Sequence, residues 1–191
     1  MTRPDDSTLS ELQLRRVRKE AMRALEEAGA LGVLPTPIDQ IMAVARVEEV
    51  HEDVLNQDFL TKIRSELGKT GAALKRALGK VVGLFDARAS LVFIDRSLYV
   101  AKQSFVRLHE AAHVFLPWQR PMYSVVEDCQ DSLEPEVADA FDREANVFAA
   151  EVLFQGDRFI EEATDIKFSI FTFVNLSKKY GASTFFFIRL Y

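Results

Sequence analysis

The chain has 191 residues, 48% of them hydrophobic and 28% charged, with a net charge of −5. That composition suits a soluble globular protein; it excludes a disordered chain and argues against direct binding to nucleic acid through positive charge. The single cysteine, Cys129, excludes an internal disulfide framework, and the polar start from Met1 to Ser7 offers no apolar signal segment. No run reaches the length of a membrane span, so the cytoplasm is the expected compartment and no membrane partner is expected.

In chain order, residues 9–27 read as an amphipathic helix, with Leu12, Val17, Ala21 and Leu25 as its apolar positions and Gly29 and Gly32 suited to its stop. A second helix is expected from Thr36 as N-cap and Pro37 at the first helical position, burying Ile38, Ile41, Met42 and Ala45. Residues 60–78 form a third helical pattern whose polar side is basic, a solvated face or a docking surface for an acidic partner. Gly68-Lys69-Thr70 fails as a phosphate loop, because Ile63 stands where the first glycine is needed. Short β-type runs follow at 80–86 and 91–95, with another at 47–54, and the period returns to helical at 104–115. An irregular acidic connector leads to a strong helix over 135–154, and the phenylalanine-rich remainder is helical.

The chemistry lies in His109-Glu110-Ala111-Ala112-His113. Histidines four apart share one helix face, so their imidazoles can converge on one ion, and neutral imidazole suits zinc. Glu110 emerges beside that ion, placed to take a proton from an attacking water and pass it to a leaving amine. Two of the chain's three histidines fall in this pattern, in an otherwise apolar helix where unpartnered polar groups would be costly. A catalytic zinc site takes a third protein ligand and keeps a fourth position open. No third histidine follows, and His51 reads as a surface residue far upstream, so a carboxylate on the later helix is expected. Glu144 and Glu151 stand seven apart on one face, and small Ala140 and Ala145 near Glu144 would allow close helix approach. Asp142 and Asn146 read as outer partners for the histidine N–H groups. Cys129 reads as an inert thiol, Tyr123 as a conceivable oxyanion donor, and Phe185-Phe186-Phe187-Ile188 as core. The acidic run over 127–144 reads as a solvated rim able to attract a basic substrate.

An HEAAH helix followed by Arg143-Glu144-Ala145-Asn146-Val147-Phe148-Ala149-Ala150-Glu151-Val152-Leu153 resembles the ImmA/IrrE family of bacterial metallopeptidases. Val92-Phe93-Ile94-Asp95 and the C-terminal Ser177-Lys178-Lys179-Tyr180-Gly181-Ala182-Ser183 extend the likeness, which runs from about Pro37 to the end. The resemblance implies Glu144 as third ligand beside His109 and His113, one zinc per chain, and Glu110 as catalytic base. It also implies a substrate class, helix-turn-helix repressors of phage, mobile-element or stress genes. The expected fold is α+β: a small, mostly antiparallel sheet packed with the active-site helix and surrounding helices. One domain is expected over 1–191, with an N-terminal helix at about 9–29 and a C-terminal helical element at about 158–191. Two other functions fit the same residues: a regulator that binds a repressor without cutting it, and a zinc hydrolase of a small amide or peptide. Glu151 to Gly156 also spells the site of a viral cysteine protease used to remove tags, a coincidence given its place in the helix.

Overall fold

Ser10 opens the first helix, α1 (Glu11–Glu27), with a capping box: its hydroxyl accepts from the Gln13 N–H, and the Gln13 side chain accepts from the Ser10 N–H at 3.0 Å. These bonds satisfy two groups that a helix start leaves open. The computed structural model describes residues 9–50, 83–86, 91–94, 98–119, 135–164 and 169–184. The basic helical pattern expected at 60–78, His51, Tyr123, Cys129, residues 185–188 and the acidic run before Pro135 lie outside them. On α1, Val17, Ala21, Ala24 and Leu25 are buried, whereas Leu12 is 69% exposed. Leu12 sits five residues before Val17, about 140° off the buried stripe.

Helix α2 (Ile38–Ala45) buries Ile38, Ile41, Met42 and Ala45 as the periodicity predicts, but Thr36 is not its cap. Pro37 holds that position, and the buried Thr36 hydroxyl turns instead to the carbonyls of Val152 (3.2 Å) and Leu153 (3.3 Å). Those carbonyls belong to the last turn of α4 (Pro135–Phe154), where a helix leaves its acceptors unpaired. The tertiary need outweighs the local one.

Strands β1 (Glu48–Val50), β2 (Gly83–Asp86) and β3 (Leu91–Ile94) form a sheet in the order β1-β3-β2. β2 pairs antiparallel with β3, Gly83 opposite Ile94 and Asp86 opposite Leu91. β1 pairs parallel with β3, Glu48 opposite Leu91, so among the described residues the sheet is mixed rather than mostly antiparallel. A parallel pair needs a crossover of at least about a dozen residues, and the stretch between β1 and β2 supplies that length.

Helix α3 (Val100–Phe115) is central: it packs on β2 and β3, on α2, and on α4, and touches α1. Val92 and Ile94, two apart on β3, are buried in the same core as Val106, Leu108 and Phe115 of α3 and Ala145, Phe148 and Val152 of α4. Phe115 stacks on Phe148 with ring centroids 5.4 Å apart. The α4 end is held by Gln155, buried at a positive φ of 55° that costs a non-glycine residue about 1 kcal/mol. Its amide oxygen accepts from the Gly32 N–H at 2.8 Å; its nitrogen faces the Ala30 and Val33 carbonyls and the Thr36 hydroxyl.

Two further helices, α5 (Asp157–Thr164) and α6 (Ile170–Tyr180), close the described chain. Phe154, Phe159 and Tyr180 meet with ring centroids 5.3 to 5.7 Å apart, and the Tyr180 hydroxyl donates to Glu162 at 2.9 Å. Among the described residues, no helix is long and apolar enough to cross a membrane.

Candidate metal centre

The last two turns of α3 carry His109, Glu110 and His113 toward α4. The two imidazole rings lie edge to face, centroids 5.2 Å apart. Each ring is oriented by a side-chain amide. His109 Nδ1 lies 3.0 Å from the Asn146 amide oxygen, and His113 Nδ1 lies 2.7 Å from the Gln119 amide oxygen. In that arrangement each Nδ1–H donates, which leaves the lone pair of a neutral ring on Nε2. His113 is buried; its pKa falls to about 3 through loss of solvation, then through His109, so it is neutral at ordinary pH.

The third group is Asp142. One ligand atom each from His109, His113 and Asp142 all lie within 4.8 Å of one another, and Asp142 Oδ1 is 3.9 Å from His109 Nε2. Two imidazole nitrogens and a carboxylate oxygen are the donor set of a catalytic zinc site, and the ring tautomers suit it. The Asp142 side chain is 60% exposed, so the cluster opens to solvent on that side.

Glu144, the ligand expected from the sequence, stands outside this cluster. It is buried, and one carboxylate oxygen accepts from both Trp118 Nε1 and Gln119 Nε2, each at 2.7 Å. Helix geometry accounts for where the structure places it. Asp142 and Asn146 are four apart and share the face toward His109; Glu144, two residues from either, points about 160° away from that face. Glu151 is elsewhere too, accepting from Arg18 Nε of α1 at 2.8 Å. Asn146 holds the outer role read from the sequence, while Asp142 joins the cluster itself. Gln119 and Trp118 carried no recognisable pattern, because they reach the site from the turn after α3.

Glu110 is buried beside these groups, and burial followed by the Asp142 charge raises its pKa to about 8. In the metal-free protein this has a sign that can be checked. The folded state holds a proton on Glu110 that the unfolded chain releases above its ordinary 4.5, so its contribution to stability is lost as pH rises toward about 8. His113 acts oppositely: the unfolded chain gains a proton below 6.5 that the folded ring refuses until about 3, so stability falls as the solution is acidified. The two slopes oppose each other between 4.5 and 6.5 and leave Glu110 acting alone from 6.5 to about 8. Chelator-treated protein is therefore expected to lose stability over that upper interval, by at most about 1.4 kcal/mol per pH unit. Glu110→Gln should flatten the decline in urea titrations; an equal decline in both proteins would reject burial of Glu110 as its cause.

A cavity of about 570 Å³ lies elsewhere, between α2, the sheet and α3, lined by Asp39, Glu49, Ile94 and Arg107 among others. Arg107 is two residues before His109, so it faces away from the cluster, and its guanidinium is bound by Asp39 (2.6 Å) and Glu49 (2.7 Å).

No curated protein matches this chain. A protein-family model does: the IrrE N-terminal-like domain of the M78 peptidases, over residues 73–190.

Proposed function

The chain belongs to the ImmA/IrrE family of peptidases, and from that premise we propose that it is a zinc-dependent endopeptidase, with His109, His113 and Asp142 as ligands and Glu110 as general base. The observation that carries this reading is the convergence of two amide-oriented imidazoles and a carboxylate within 4.8 Å. Bound there, zinc would polarise the scissile carbonyl and acidify the attacking water. The cation would also favour the ionised form of Glu110, converting a buried, protonated acid into a carboxylate able to accept a proton. Glu110 would take that proton and return it to the leaving amine. Asn146 and Gln119 hold the imidazoles in register throughout, and the exposed side at Asp142 admits the substrate.

For the substrate we favour a helix-turn-helix repressor, cut to release the genes it silences. The family resemblance supports this, as does the net charge of −5, which favours approach of a basic DNA-binding protein. We read the chain as one catalytic domain acting in the cytoplasm. The test is incubation of the zinc-loaded protein with the repressor encoded nearest its own gene, read by mass spectrometry. Two fragments from one cleavage are expected. An intact repressor held in a stable complex would instead make the protein a binding regulator, and cleavage of short peptides alone would make it a small-amide hydrolase.

A further inference from the structure

We propose that Glu144 is a positioning residue: through Gln119 it dictates which nitrogen of His113 is presented to the metal site. The inference rests on the metal-centre reading above but concerns a residue outside the ligand set. An amide side chain has an accepting end and a donating end that differ little in shape, so its neighbours decide which way it faces. At Gln119 the decision is one-sided. The nitrogen end lies 2.7 Å from a Glu144 oxygen and 3.3 Å from the Phe141 carbonyl, and both of these accept. Reversing the amide would set oxygen against a carboxylate oxygen in a buried place, where unpaired acceptors are most costly.

The oxygen end is thereby committed to His113 Nδ1 at 2.7 Å, and an oxygen there requires an Nδ1–H. The His113 lone pair is left on Nε2, the nitrogen that a metal would need. Gln119 is fully buried, with His113 and Glu144 nearly so, and solvent is largely kept from the bonds that set the tautomer. Glu144 is itself fixed by the Trp118 N–H, and the Trp118 ring lies under the Arg16 guanidinium, 4.2 Å from its centroid. A buried carboxylate two residues from the proposed ligand thus acts at one remove, as an acceptor that orients an amide.

The experiment reads the His113 tautomer directly, in metal-free protein at about pH 7.5, where the neutral ring prevails, by nitrogen NMR of histidine-labelled samples. Wild type is expected to carry the proton on Nδ1. Glu144→Leu should give a tautomer mixture, a shifted indole N–H for Trp118 (the single tryptophan), and a zinc Kd raised about 10–100-fold in chelator competition. Glu144→Gln, whose carbonyl oxygen can accept both N–H groups, should keep the wild-type tautomer and a near-wild-type Kd. A wild-type proton on Nε2, or a folded Glu144→Leu with tautomer and Kd unchanged, overturns the proposal. If Glu144→Leu does not fold, wild type and Glu144→Gln decide, since loss of the Nδ1–H from either is equally fatal. Failure of zinc to bind any form would sink the metallopeptidase reading while the tautomer, measured without metal, still judges this one.

Discussion

Glu110→Gln is expected to lower peptide cleavage about 10²–10⁴-fold, the range that a positioned general base contributes, while zinc content and fold stay close to wild type. The amide is nearly isosteric with the carboxylate it replaces, and Glu110 belongs to neither the ligand cluster nor the amide pairs that orient the histidines. What it loses is the ability to take a proton. The substitution also removes a buried acid whose pKa is lifted to about 8, so the metal-free variant should be the more stable form in mild alkali. Lost activity with stability gained at pH 8 would be hard to attribute to general damage. The check is initial-rate kinetics on a cleavable peptide, with zinc measured on the same samples by elemental mass spectrometry. A rate within a few-fold of wild type would remove Glu110 from the proton transfer.

Asp142→Ala is expected to weaken zinc binding by more than the roughly 10–100-fold typical of an outer-shell loss, because it deletes one of three proposed ligands. Glu144→Ala should fall within that outer-shell range. The contrast separates the structure-based assignment from the one that the sequence suggests. Asp142→Ala has a second readout: Asp142 helps to raise the Glu110 pKa, so its removal should shift Glu110 downward. Competition with a chromophoric chelator gives both zinc affinities. Zinc kept by Asp142→Ala but lost from Glu144→Ala would restore Glu144 as the ligand.

These expectations show what a sequence makes legible. The HEAAH spacing places two imidazoles on one face by helix geometry alone, and Asn146 was recognisable as a partner for them. The 135–154 helix was readable to its ends, since a strong apolar period begins at a proline and stops before Gln155-Gly156. The carboxylate that stands beside the two histidines was not. Glu144 and Glu151 do share a face, but it is the face toward Trp118 and α1, not the one toward His109. The rotational setting of one helix against another depends on packing such as Phe115 on Phe148, which no local pattern encodes. Thr36 illustrates the same limit: a residue with every local mark of a cap is taken up by carbonyls more than a hundred positions away. The parallel β1–β3 pair depends on how the chain crosses over between strands, which short apolar runs do not specify.

The Arg16–Trp118 contact bears on where a family ends. Arg16 belongs to α1, which precedes the matched residues 73–190, yet its charge rests on the ring whose N–H holds Glu144, which faces Gln119, which faces His113. Sequence likeness marks the stretch where ancestry is recognisable; it does not mark the stretch on which a histidine's orientation depends. A helix outside the matched stretch can thus be mechanically upstream of the chain's most recognisable residues.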